Sequence, residues 1–164
     1  MAKISRLEEL KHRQLDLRDI ILGGQDGLVN VLGVTLGVAA ASGDTRIVLA
    51  AGLAATFAES FSMAAVAYTS SITGSHALTD ALIVGVSAIF GSVIPIIPFA
   101  FFPISLGIKV AVLISAIFLF LLGIYKARVI GLNLGREGLK ITIIGLAAAL
   151  IGYVVGLIFK VPAV

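Results

Sequence analysis

Cysteine is absent from this 164-residue chain, and charged residues make up only 13% of it. Without cysteine the protein can form no disulfide and no thiolate metal site, and redox chemistry at sulfur is limited to its two methionines. Soluble domains carry about 25% charged residues. A chain this poor in charge and 59% hydrophobic is therefore not a water-soluble globule. The composition predicts an all-α integral membrane protein with a single helical bundle.

Several classes of function lack their sequence signatures. We find no nucleophile–base set, no cofactor-binding loop and no closed metal cage, so we expect no enzymatic activity and no bound cofactor. The net charge of +3 comes from basic residues that mark the ends of apolar segments, which argues against a nucleic-acid partner. The charged N-terminal segment, 1–19, lacks the short apolar core of a secretory signal peptide, so we expect no cleaved leader.

Five segments are long and apolar enough to be spanning helices, which need roughly 20 such residues. They cover residues 20–41, 46–69, 80–99, 105–126 and 139–159. Ser42-Gly43-Asp44 predicts a tight turn after the first segment, and Pro95, Pro98 and Pro103 predict a kink or a break near the end of the third. Residues 126–140 contain four Lys/Arg and three glycines, which fits a solvated loop.

The five segments form a predicted transmembrane domain at residues 19–164, which follows a separate N-terminal segment, 1–18. The basic residues are unevenly distributed between the two ends of this domain, and the bias predicts a cytoplasmic N-terminus. One end carries only Arg46, Lys109 and Lys160. The other end carries nine basic residues: Lys3, Arg6, Lys11, Arg13, Arg18, Lys126, Arg128, Arg136 and Lys140.

Residues 1–18 place leucine and isoleucine at helical spacings between basic residues. This pattern predicts an amphipathic helix that lies on an anionic leaflet. A frayed polar tail is the alternative.

Two acidic residues, Asp26 and Glu59, lie deep within the first and second apolar segments. A carboxylate costs several kcal/mol in hydrocarbon, so such residues usually face a bundle interior, a partner or a wet cavity. Met63 follows Glu59 by one helical turn on the same face, and its thioether can bind soft or borderline metals. These three residues favour a path for ions.

Counting residues along the first two segments predicts which side chains lie at the same depth. At ~1.5 Å per residue, Asp26 and Met63 each lie about 9 Å from the same membrane surface, and Asn30 and Glu59 each lie about 15 Å from it. The segments are antiparallel, so we expect a two-level site formed by Asp26, Asn30, Glu59 and Met63. Carboxylates with a thioether, and without His or Cys, fit Fe²⁺ or Mn²⁺ better than a tight zinc cage.

Each of these residues also has a structural explanation. Methionine most often fills gaps in a core, and Asp26 could simply bond to a neighbouring helix. Asn30, Ser60 and Ser62 could serve as interhelical contacts, and His76 as a solvated loop residue. The small-residue spacings Gly33–Gly37 and Gly152–Gly156 predict close helix packing rather than chemistry.

Four stretches, in order and covering most of the chain, resemble the vacuolar iron transporter family. The Asp-Gly of the first segment, the Ser-Met of the second and the Gly-x-x-Ile-Pro of the third are specific in combination. The stretches are Arg18–Gly33 (RDIILGGQDGLVNVLG), Gly52–Tyr68 (GLAATFAESFSMAAVAY), Gly85–Phe99 (GVSAIFGSVIPIIPF) and Gly123–Gly156 (GIYKARVIGLNLGREGLKITIIGLAAALIGYVVG).

The resemblance implies five membrane spans, a homodimer with the ion path at the subunit interface, and proton-coupled export of Fe²⁺ from the cytosol. Asp26 and Met63 fall on family positions associated with that path, and Glu59 falls where relatives often carry an acidic or a small residue. The membrane would be the plasma membrane in a prokaryote and a vacuolar-type membrane in a eukaryote. The expected partners are a divalent cation, protons, the lipid bilayer and a second copy of the chain.

One departure from the family concerns the connection between the second and third segments. Many relatives insert a Glu- and Met-rich helical metal-binding domain there, whereas residues 70–79 of this chain are too few for one. A naturally short form and an engineered deletion both fit the sequence. The alternative function is therefore a non-transporting membrane scaffold or regulatory protein that has lost the metal-collecting domain.

Overall fold

The computed structural model describes the backbone of residues 2–70 and 77–160, and the side chains of residues 19–70 and 77–160. This part of the chain forms five α-helices. They are α1 (Ala2–Ser42), α2 (Thr45–Ser70), α3 (Ala77–Phe101), α4 (Ile104–Ile130) and α5 (Leu134–Ile158). All five are long and apolar enough to cross a membrane, with α1 doing so over Asp19–Ser42, so the predicted all-α class with five spans is confirmed.

Helices α1 and α3 form the centre of the bundle. Over an apolar 18-residue stretch of each of these two helices 50% of the residues are buried, against 22–28% in the corresponding stretches of the other three helices. Helix α1 packs against α3 and α5, α2 packs against α3, and α4 packs against α5. One buried cluster joins α1 to the other helices, and it is formed by Leu32, Leu36, Ala39, Val48, Phe99, Ala111 and Ala149.

Helix α1 extends without a break from residue 2 into the first span. The described side chains begin at residue 19, so the amphipathic character of residues 1–18 and their placement on a leaflet stay predictions. The 70–80 connection, with His76, also lies mostly outside the described residues.

The turns between the helices have clear local causes. Gly43 has φ +62° and lets the chain reverse between α1 and α2, and Asp44 begins α2 by accepting the Arg46 N–H at 2.7 Å. Helix α3 continues through Pro95 and Pro98, and the predicted break falls at Phe102 and Pro103. Each of the two prolines inside α3 lacks an N–H and removes one helical hydrogen bond, a loss that spanning helices tolerate where neighbouring groups satisfy the freed carbonyl oxygen.

The predicted solvated loop at 126–140 is much shorter in the structure. Helix α4 extends to Ile130 and α5 begins at Leu134, which leaves only three connecting residues. Gly131 ends α4 in the left-handed conformation with φ +80°, and the Asn133 side chain caps α5 by accepting the Arg136 N–H at 3.1 Å. Because caps are available on both sides, most of this basic stretch is helical.

Candidate functional site

The clearest polar contact between two spans joins Asn30 of α1 to Glu59 of α2. The amide Nδ2 of Asn30 donates a hydrogen bond of 2.7 Å to Oε1 of Glu59. The prediction that these two residues lie at the same depth is therefore confirmed. The amide nitrogen makes this contact, which leaves the carbonyl oxygen of Asn30 as a further potential ligand atom.

The α1–α2 turn explains this pairing. Asn30 precedes Asp44 by almost the same number of positions as Glu59 follows it. Because both helices rise about 1.5 Å per residue, nearly equal counts place the two side chains at one level. Asp26 and Met63 are also nearly equidistant from Asp44 along the chain, each one helical turn further from it. The same count therefore places them on a second level, nearer the end of the bundle where α1 enters.

Asp26 adds a second carboxyl group to this region. It precedes Asn30 by one turn of α1, and its carboxyl group lies close enough to that of Glu59 for the two to interact electrostatically. Two carboxylates repel each other, and the repulsion is strong where little water screens it. A proton shared between the carboxyl groups, or a cation beside them, relieves that repulsion.

Met63 is half-buried and lies one turn beyond Glu59 on α2. The donor set around these two levels thus consists of two carboxylates, one amide and one thioether. Within the described residues, no three side chains drawn from His, Cys, Asp and Glu come together in a closed cluster. The site is therefore open and poor in strong ligands, which suits an ion that must leave as well as enter.

Asp26 and Asn30 belong to an exposed stripe of α1 that lies between α2 and α5. The stripe consists of Leu22, Asp26, Asn30 and Val34, spaced one helical turn apart, and all four side chains are exposed. From Asn30 a groove of about 520 Å³ continues between α1 and α5 as far as Phe159. Sequence reasoning did not predict this open groove, because a stripe on one helix does not show which neighbouring helices leave it uncovered.

The other predicted polar and small residues lie outside the polar contact. Ser60 is buried on the side of α2 that faces Gly85 of α3, and its hydroxyl has no hydrogen-bond partner among the described residues. Ser62 is exposed.

The glycine spacings are confirmed as packing positions. A Cβ on Gly37 would lie 2.8 Å from the Gly152 carbonyl oxygen, and one on Gly156 would meet the backbone of Gly37.

Comparison with known proteins identifies the family of this chain. The model of the VIT family matches residues 17–78 and 71–157 of the chain. The uncharacterized protein MJ0645 of Methanocaldococcus jannaschii is 28% identical over 167 residues, covering 84% of this chain and 87% of its own length. The regions that the family model matches include all five spanning helices and both levels of the candidate site. The chain therefore belongs to the VIT family, the vacuolar iron transporters, and is a multi-pass membrane protein of a family that transports metal ions and is not enzymatic.

Proposed function

We propose that the protein exports a divalent transition-metal cation from the cytosol in exchange for protons, with Fe²⁺ as the preferred ion and Mn²⁺ next. The observation that carries this proposal is the contact of 2.7 Å between Asn30 and Glu59, with the Asp26 carboxyl group beside it. Groups of this kind are costly in a membrane span, and their concentration at one place supports a role in ion passage.

The donor chemistry supports the choice of ion. Asp26, Glu59 and the Asn30 carbonyl oxygen offer oxygen ligands, which hard and borderline cations prefer. The Met63 thioether shifts that preference towards softer first-row transition metals. Without imidazole or thiolate ligands the site would bind the ion weakly, so release on the far side is easy.

The charges of the site support exchange with protons. One divalent cation neutralises two carboxylates, and so do two protons. Asp26 and Glu59 can therefore alternate between a metal-bound and a doubly protonated state, neither of which leaves net charge in the membrane. We propose that protons arriving from the outer or lumenal side displace the cation, with the N-terminus of the chain in the cytoplasm.

The exposure of the site supports a homodimer. Asp26 and Asn30 lie about 10 and 16 Å inside the span that begins at Asp19, at ~1.5 Å per residue. Exposed polar groups at such depth need a cover other than lipid. A second copy packed on the exposed stripe of α1 would enclose them and place four carboxylates around a common path.

The test is a flux assay in proteoliposomes that contain a metal-quenched dye. Fe²⁺, Mn²⁺, Co²⁺ and Zn²⁺ are added with and without a pH gradient. We expect Fe²⁺ and Mn²⁺ to quench the dye and the gradient to accelerate quenching. We expect Asp26→Asn and Glu59→Gln each to reduce the flux by at least about tenfold, the equivalent of about 1.4 kcal/mol.

Asp44→Asn is the matched control. It also removes one carboxylate, but from the exposed α1–α2 turn, where asparagine caps a helix as well as aspartate does. Its flux should equal that of the unchanged protein. If the folded protein moves none of the four ions, the transporter proposal fails and a scaffold or regulatory protein becomes the better explanation.

A further inference from the structure

The turn between α4 and α5 combines basic and apolar side chains at one end of the bundle. We call residues 128–136 the α4–α5 tip. Ile130, Leu132 and Leu134 are 59%, 45% and 46% exposed there, and Arg128 and Arg136 are also exposed. We propose that the α4–α5 tip is a docking surface for anionic phospholipids, with the arginines on head-group phosphates and the apolar side chains in the acyl boundary.

The charges near the tip lack a matching number of acidic partners. Glu137 lies between Lys126 and Lys140, with N–O distances of 3.6 Å to each. This carboxylate is only 15% exposed and is already shared by two lysines. Arg128 and Arg136 form no ion pair with any residue in the described ranges 19–70 and 77–160. The tip therefore has a positive charge that the acidic side chains of the described ranges do not neutralise.

The other two turns that the structure describes do not share this combination. The α1–α2 turn is polar and carries its own acid, Asp44, beside Arg46. The α3–α4 turn exposes Phe101 and Phe102 but has no charged residue. Apolar side chains suit the acyl boundary, and basic side chains suit the anionic head groups just above it. Both occur together at the α4–α5 tip.

The tip is also held in place by its helix ends. The N–H groups of Gly131 and Leu132 both donate to the Ala127 carbonyl at 2.8 Å, and the Asn133 side chain caps α5. The backbone positions of Arg128 and Arg136 are thus held on the two sides of a three-residue turn. Arginine binds phosphate with two parallel hydrogen bonds, so two arginines on one short turn favour phosphate over a diffuse ion cloud.

The experiment measures binding of phosphatidylglycerol and phosphatidylcholine to the full-length protein in detergent, by lipid titration of the melting temperature and by native mass spectrometry. We expect phosphatidylglycerol to raise the melting temperature more than phosphatidylcholine and to remain bound in the mass spectrum. The single variants Arg128→Gln and Arg136→Gln should each raise the half-saturating phosphatidylglycerol concentration about fivefold. Leu132→Ser should weaken binding while leaving the charge unchanged.

The matched control is the double variant Arg46→Gln with Lys109→Gln, which removes two exposed basic residues from the opposite end of the bundle. It should bind phosphatidylglycerol like the unchanged protein. Three results would overturn the proposal: equal effects of the two lipids, an equal effect of glycerol 3-phosphate without acyl chains, or equal losses in the tip and control variants. If the tip variants fold poorly, the comparison of the two lipids on the unchanged protein still tests whether anionic phospholipids bind preferentially.

Discussion

Helix α1 contacts its neighbours in two different ways. Towards α3 and α5 its glycines bring backbones together, so that a Cβ on Gly91 or on Gly156 would meet the α1 backbone. The side of α1 that faces α2 carries Asn30 and Asp26, which are both exposed, and one hydrogen bond joins Asn30 to Glu59 of α2. The first side is held by close backbone contacts, with the groove between α1 and α5 running beside them, and the second side is exposed and polar.

This difference separates the residues that determine the fold from those available for chemistry. Between lipid-facing helices there is no hydrophobic driving force, so stability comes from close packing of small residues. Where two backbones touch at a glycine, no ligand fits between them. The exposed polar side chains of α1 contribute one hydrogen bond to α2, so under the proposed function their exchange should affect the fold little and ion transport strongly.

The largest expected effect is on the glycine side, in the variant Gly27→Ala. A Cβ at this position would meet the Ala88 carbonyl oxygen and lie 2.6 Å from the Ser92 hydroxyl. A backbone carbonyl cannot move aside cheaply, so we expect a loss of about 1–3 kcal/mol in the free energy of unfolding. Unfolding by sodium dodecyl sulfate, followed by circular dichroism in detergent micelles, measures it.

Gly33→Ala is the control on the same helix. Its Cβ would lie 3.8 Å from the Ala148 carbonyl oxygen, the nearest heavy atom outside the local backbone of α1, which is ordinary contact. Alanine is preferred over glycine within a helix by about 1 kcal/mol, so this variant should be as stable as the unchanged protein or more stable. Equal losses in both variants would mean that close approach is not what stabilises this side of α1.

On the polar side, Met63→Leu should change ion selectivity without changing the fold. Leucine has a similar volume, so the free energy of unfolding should change by less than about 1.5 kcal/mol. Loss of the thioether should reduce the preference for Fe²⁺ over Mn²⁺ by about tenfold, equivalent to about 1.4 kcal/mol of binding. Flux of the two ions in competition measures that preference.

Leu53→Met serves as the comparison for Met63→Leu. It adds a thioether to an exposed position of α2 that lies away from Glu59, and it should leave the Fe²⁺ preference unchanged. An unchanged preference in Met63→Leu itself would identify Met63 as a packing residue.

Much of the fold could be predicted because lipid simplifies the rules. Length and hydropathy were sufficient for five helices, since a spanning segment must satisfy its own backbone hydrogen bonds. The pairing of Asn30 with Glu59 followed from counting residues inward from the outer ends of two segments that are joined by a short turn at Gly43 and Asp44. Both successes rest on periodic geometry within one or two helices.

The errors and gaps concern how whole helices meet. The basic stretch at 126–140 had the composition of a loop, but a Cβ on Gly123 would lie 2.6 Å from the Gly138 Cα, so the two helices continue side by side there. The exposed stripe of α1 could not be predicted either, because it depends on where α2 and α5 stand around it. Composition describes single segments, whereas these features depend on contacts between segments distant in sequence.

The smallest expected effect belongs to Asn30→Leu, which removes the hydrogen bond across the polar side of α1. Interhelical hydrogen bonds in membranes contribute about 0.6 kcal/mol on average, so the free energy of unfolding should fall by no more than about 1 kcal/mol. The flux of Fe²⁺ should fall severalfold, because the Glu59 carboxylate loses the donor that fixes its position.

Thr35→Val is the control for Asn30→Leu, five residues further along α1 and on a buried face. The Thr35 hydroxyl donates to the carbonyl oxygens of Val31 and Leu32 within its own helix, at 2.8 and 3.1 Å, so its loss breaks no contact with α2. Its flux should therefore be unchanged. Asn30→Gln keeps an amide and should recover part of the flux that Asn30→Leu loses. If flux is the same in all three variants, the polar contact contributes only to packing, and the distinction between the two sides of α1 disappears.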